Sequence, residues 1–329
     1  MKCAIIEEEN EGVNTMLTIY KTYELENTFK QIKEIEVDSW IDLVAPTEEE
    51  IKEVISKTQI DPDLIMKMLD EEELPRIEES GNAVLVVIDT PFLSDNHFKN
   101  KYKTYPLGII ITKNNYIITI SLKESNLLED FRNNKIKTFY TAKKTRFLIQ
   151  ILLKTASAYL KVLKQVNLDM AAKEKVLSKS TQNKHLIDLL DIEKTLVYFI
   201  TSLKANDLVL EKLTKGSVLD MYAEDLDLLE DATIENKQAI EMSTIYRDIL
   251  SSVTDTYATI VSNNLNIAMK FLAGITIVFS IPTMIASFLG MNVPLGDIGN
   301  NDFAFLIIAI LSFLLAILIA FWLKKKDML

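Results

Sequence analysis

The chain is nearly without cysteine and histidine. Cys3 is its single cysteine, so no disulfide can close within the chain, as suits a cytosolic domain. His97 and His185 are the only histidines, and no soft-ligand zinc site is evident around them. There is no nucleotide-binding loop, no nucleophile–histidine pair and no metal-ligand cluster, so an enzyme is not expected. Glycine and proline are missing over long stretches. Neither occurs between Gly108 and Gly216, nor between Gly216 and Gly274, whereas residues 1–108 hold five of the seven prolines and three of the eight glycines. This predicts an α+β chain: a mixed α/β first third with turns, then long helices.

Charge is absent from two further stretches. Residues 271–289 and 303–323 carry none, and are 19 and 21 residues long. As helices they reach about 28 and 32 Å, enough to cross a hydrocarbon layer of ~30 Å. One such run could be a buried core helix, but two in tandem with charged flanks predict two membrane spans. Basic residues are missing from the connection, 290–302, which holds Asp297 and Asp302. Lys270 precedes the first run, and Lys324, Lys325 and Lys326 follow the second. Lys and Arg mark the cytoplasmic side, so both termini are expected inside and the short loop outside, in a multi-pass protein of the cell membrane. The first residues, MKCAIIEEENEG, lack an apolar stretch long enough for a cleavable signal. The formal charge of −11 lies almost wholly before Lys270 and argues against nucleic acid as a partner.

Within the first third, 83–89, 107–112 and 116–121 read as strands, with Lys113-Asn114-Asn115 as the turn between the last two. Thr47 followed by Glu50 is a capping-box pattern, and Asp61-Pro62 opens a second helix. Residues 141–179 and 184–214 read as an antiparallel helical pair. A third helix is expected from about Asp231 to Leu289, too long to stand without neighbours. The predicted organisation is an α/β domain at 1–140, a helical pair at 141–228 and a stalk helix at 229–270. A first membrane helix at 271–289, a loop at 290–302, a second membrane helix at 303–323 and a basic tail at 324–329 complete it.

The first apolar run carries four hydroxyl residues, Thr276, Ser280, Thr283 and Ser287, spaced 4, 3 and 4. At ~100° per residue they fall within an arc of about 60°. Towards the stalk, Leu272, Met269, Ser262 and Asp255 lie close to the same face, with Asn266 at its margin. Small hydroxyl residues often serve as glue between membrane helices. The alternative is a water-filled path, and the continuation into an acidic, amide-bearing face favours it. One membrane hairpin cannot enclose a pore, so a cyclic assembly of several copies is required.

Gly290-Met291-Asn292 stands at the outer end of the first run, before a short loop and a final helix that ends in three lysines. In that setting the tripeptide resembles the hallmark of the CorA family of divalent metal ion transporters. The segment from Asp255 to Lys270 is similar to the family's stalk-to-membrane stretch, and Leu196–Asp207 to another of its segments. The likeness is loose over residues 1–120.

The resemblance implies a homopentameric funnel whose cytoplasmic α/β domain hangs from a stalk continuous with the first membrane helix. Two membrane helices per subunit sit in lipid, the first lining the pore. It implies Mg²⁺ as substrate and as regulatory ligand, with Co²⁺ or Ni²⁺ also carried and no cofactor. Gly290, Met291 and Asn292 would form the selectivity filter, with a ring of Asn292 amides accepting hydrogen bonds from the waters of a hydrated ion. Gly290 would permit a tight backbone turn there; as a plain alternative, Asn292 is a helix C-cap. Met269 and Leu272 match an apolar gate, Thr283 and Asn266 polar pore positions, and Asp255 an acidic pore position. Asp231 falls where the stalk contributes a carboxylate to the regulatory metal, with Asp95 as its partner; solvated surface carboxylates are the alternative. Two departures bear on ion preference. Leu289 replaces the usual aromatic, and the loop lacks the glutamate of some members, leaving Asp297 and Asp302 as its acids. A zinc-carrying relative and a membrane-anchored helical scaffold are the competing readings.

Overall fold

The computed structural model describes residues 16–23, 28–93, 102–136, 138–177, 183–216, 219–291, 303–326 and 328. Contacts divide the chain into two units, residues 1–251 and 252–329.

The first unit is built on a seven-stranded sheet. Its strands are β1 (Met16–Tyr23), β2 (Thr28–Ile32), β3 (Trp40–Val44), β4 (Arg76–Ser80), β5 (Ala83–Leu93), β6 (Tyr102–Thr112) and β7 (Ile117–Ser121), in the order β2-β1-β3-β7-β6-β5-β4. β3 and β7 pair in parallel and the other neighbours antiparallel. The turn at Lys113–Asn115 is present, with Asn115 in the left-handed region at φ 65°. β5 and β6 run well past the lengths expected from sequence, through Pro91 and Pro106. Beyond Val87 β5 has lost β4, and before Gly108 β6 has lost β7, so both prolines sit where a strand has one neighbour and needs one fewer donor. On the edge left open past β4, Asn206 acts as a surrogate strand. Its side-chain oxygen accepts from the Asp89 N–H at 2.9 Å and its amide nitrogen donates to the Asp89 carbonyl at 2.8 Å.

Both faces of the sheet are buried, which explains the nearly unbroken Val/Ile/Leu runs of β5 to β7. Leu85, Val87, Ile110, Ile118 and Ile120 point one way. They meet Ile51 and Val54 of α1 (Glu48–Thr58), Leu64 and Ile65 of α2 (Pro62–Met66), and Met68 of the 3₁₀ turn Lys67–Leu69. Val86, Ile88, Ile109 and Ile111 point the other way, towards Phe147, Leu148 and Ile151 of α4 (Lys144–Leu177) and Leu210 and Leu213 of α5 (Asn183–Thr214). Gly108 lets Met68 press on the sheet; a Cβ there would lie 2.6 Å from Met68 Cγ. α1 opens with the expected capping box of Thr47 and Glu50, and Asp61 caps α2. α3 (Asn126–Arg132), not expected from sequence, brings Arg132 to the buried Asp42 at 2.7 Å. Burial pushes the Asp42 carboxyl up against the pull of Arg132 and the Thr119 hydroxyl.

α4 and α5 form the expected antiparallel pair. Lys173 meets Asp188 at 3.3 Å, and Tyr159 packs edge-on against Phe199 at 5.3 Å. α6 (Ala223–Leu289) is a single helix of 67 residues that contributes to both units. It starts eight residues before the expected Asp231, inside an acidic stretch. Glu224 and Asp225 in the first turn complement the helix dipole, so the run of acids expected to precede the helix is its start. The Arg146–Glu224 bridge and the Ser157–Glu235 hydrogen bond share one offset, so this part of α6 runs parallel to α4. Asn236 joins it to α5 through the Leu203 carbonyl at 3.1 Å.

In the second unit the remainder of α6 is accompanied by α7 (Ala304–Lys325). Among the described residues these two helices are long and apolar enough to cross a membrane.

Candidate functional site

The hydroxyl stripe can be placed by asking which face of α6 is covered. Between residues 271 and 290, Gly274 is buried and Ile275, Val278, Ile281, Pro282, Ile285 and Leu289 are half-buried. Thr276, Ser280, Thr283 and Ser287 are all exposed, on the other side. α7 is the element of this unit available to cover the first face. Its own least exposed residues are Ser312, Ala316 and Leu323, at 6%, 7% and 1%, with Ala309 and Ala320 half-buried beside them. Small side chains spaced by four on α7 admit a close neighbour. The hydroxyl residues of α6 take no part in that packing.

The stripe lines an open groove of ≈ 700 Å³, flanked by Ile275, Phe279, Met284 and Phe288. Those four were not singled out from sequence; their signal is a position one residue to either side of each hydroxyl. Three of the four hydroxyl protons are already used. Thr276 donates to the Leu272 carbonyl at 2.8 Å, Ser280 to Ile277 at 2.8 Å and Thr283 to Phe279 at 2.9 Å. Their oxygen lone pairs therefore face the groove as acceptors. Pro282 lies inside the helix without ending it. It removes one backbone donor, on the covered side, and leaves the stripe continuous.

Asp255, Asn266, Met269 and Leu272 are likewise exposed on α6. Gly290 stands in a turn directly after α6. Its N–H bonds to the Ala286 carbonyl at 3.0 Å, continuing the helical pattern, and its φ lies outside the left-handed region. A Cβ there would meet the Ala286 and Ser287 carbonyl oxygens at 3.4 and 3.6 Å. Met291 is exposed. Asn292 and Asp95 lie outside the described residues, as do Asp297 and Asp302. Asp231 is exposed on the part of α6 that belongs to the first unit. Among the described residues no three His, Cys, Asp or Glu side chains converge to hold a metal ion.

The arrangement is a row of oxygen acceptors on one face of an apolar helix, which suits a hydrated cation whose waters donate outwards. The chain matches the family model described as CorA-like Mg²⁺ transporter protein over residues 37–325. It is 28% identical over 291 residues to the cobalt/magnesium transport protein CorA of Methanocaldococcus jannaschii, spanning 87% of this chain and 90% of that one. The complete structure of the CorA magnesium transporter from the same organism superposes with a TM-score of 0.83 at 24% identity, covering 94% of this chain and 98% of the other. The cytoplasmic domain of ZntB from Vibrio parahaemolyticus has the same fold at a TM-score of 0.60 but is only 10% identical, over 76% of this chain and all of that one. The sheet between two helical layers, the long α6 and the apolar α7 together carry the architecture of these proteins, and the chain belongs to the CorA family.

Proposed function

We propose that the chain transports Mg²⁺ and Co²⁺ across the cell membrane as one subunit of a homopentamer, in which five copies of α6 enclose the pathway and copies of α7 surround them. The observation that carries this reading is the hydroxyl row turned away from α7. The free lone pairs of these hydroxyls gain hydrogen bonds from water that lipid cannot supply. The row's own hairpin leaves it uncovered, so it needs water or another copy. Five stripes around an axis supply a wet conduit lined with acceptors. Mg²⁺ gives up its waters reluctantly, and acceptors let it pass with those waters in place.

The remaining roles follow the same chemistry. Asn292 presents an amide oxygen at the outer mouth, next to Gly290 and Met291. Met269 and Leu272 form apolar rings that stop ions by dewetting when the conduit narrows. Asp255 and Asn266 concentrate the cation on the cytoplasmic side. Asp231 and Asp95 take a regulatory Mg²⁺ between neighbouring copies. The lysines at both inner flanks set both termini in the cytoplasm, and the inside-negative potential, worth ~2.3 kcal/mol per charge per 100 mV, draws the ion inward. Asn292→Ala in proteoliposomes tests the filter. Mg²⁺ influx should fall at least tenfold, and undiminished influx would remove Asn292 from the pathway.

A further inference from the structure

We propose that Lys270, Lys324, Lys325 and Lys326 form a binding surface for anionic phospholipid headgroups at the cytoplasmic boundary of the membrane helices. The inference rests on the membrane reading above. Leu323 is 1% exposed and closes the covered face of α7. At ~100° per residue, Lys324 and Lys325 turn about 100° and 200° away from it, towards lipid. Lys326 returns to within about 60° of the covered face. On α6, Lys270 precedes the buried Gly274 by four residues, so it sits within about 40° of the face that α7 covers. Consecutive spans run antiparallel, so Lys270 and Lys324 reach the same boundary. Two cations thus face outward and two face the seam between the helices. All four are exposed, and no ion pair of theirs is found among the described residues.

The neighbouring residues select a lipid over a soluble anion. Phe321 and Trp322, 71% and 57% exposed, occupy the turn just before the lysines. The Trp322 ring, apolar in body with an N–H at its edge, belongs at headgroup depth. A cytoplasmic leaflet brings negative headgroups to that depth, and each lysine there raises local binding by roughly fivefold at physiological salt. Sorting of membrane orientation alone would need the charges but confers no preference among lipids, so lipid preference separates the two roles.

The test uses the full chain purified from bilayers of equimolar phosphatidylcholine and phosphatidylglycerol, with retained lipids counted by native mass spectrometry. Phosphatidylglycerol should be enriched roughly fivefold or more. The enrichment should survive K324R/K325R/K326R, fall towards unity in K324Q/K325Q/K326Q, and vanish in ~1 M NaCl, where the screening length is ~3 Å. Equal retention of the two lipids by the unaltered chain overturns the proposal. So does enrichment that persists in the glutamine variant or in high salt, and the salt arm decides if the glutamine variant fails to insert. Mg²⁺ influx in the same bilayers tells the failures apart: influx without lipid preference removes only this surface, whereas an unaltered chain that does not enter the bilayer removes the membrane reading as well.

Discussion

At the scale of single residues, side-chain hydrogen bonds decide what each group can offer. Thr276, Ser280 and Thr283 spend their protons on their own helix and so present lone pairs outward. Such a surface favours the water shell of a cation and gives an anion nothing to accept from. Glu50 shows the same economy in the first unit. Burial pushes its carboxyl up, but the N–H groups of Thr47 and Leu17 and the Thr47 hydroxyl outweigh that and hold it below the usual glutamate range. A carboxyl lowered by folding stabilises the folded state above its unfolded value and loses that contribution as pH falls through its folded one. Glu50→Ala should therefore cost about 1 kcal/mol at neutral pH. The cost should shrink steadily below the usual glutamate range, as read from thermal unfolding at a series of pH values.

At the scale of elements, α6 and α7 divide their labour by face. On α7 the least exposed side chains include Ser312, Ala316 and Ala320 at a spacing of four, and on α6 Gly274, Val278 and Pro282 lie on the covered face. Ser280→Ala with Thr283→Val removes two acceptors without touching that seam. Mg²⁺ influx should fall several-fold while the thermal midpoint stays put. Ala316→Leu forces a larger side chain into the covered face and should cost about 1–3 kcal/mol. If the hydroxyl pair proved as destabilising as Ala316→Leu, the stripe would be packing glue. Much of this level was legible beforehand. The Thr47–Glu50 pattern located α1, Asp61 located α2, and the absence of glycine and proline over 109–215 located α4 and α5. β1 to β4 were not legible. β4, Arg76–Ser80, has three charged residues in five and is a strand because β5 supplies its partners.

At the scale of the whole molecule, one chain exposes what several copies must cover. Met269, Leu272, Phe279 and Phe288 are each more than half exposed on the face that also bears the hydroxyls. In the proposed pentamer, five copies of α6 around an axis would give that face neighbours and water at once. Mass photometry in nanodiscs should return five chains per particle at all working concentrations, and a stable monomer would end the pore reading.

The sequence alone determined the two long apolar runs, their flanking charges and the hydroxyl periodicity. These are local properties, fixed by side-chain transfer energies and by a helical repeat that needs no partner. Only the tertiary structure decided which face of α6 is covered and which is left open. α7 is apolar all round, so its composition names no side, and only the burial of Ser312, Ala316 and Leu323 marks one. Tertiary contact likewise carried β5 and β6 through their prolines, because a proline is tolerated only where a neighbouring strand is missing. It also turned an acidic run into the first turn of α6, where α4 holds Glu224 through Arg146.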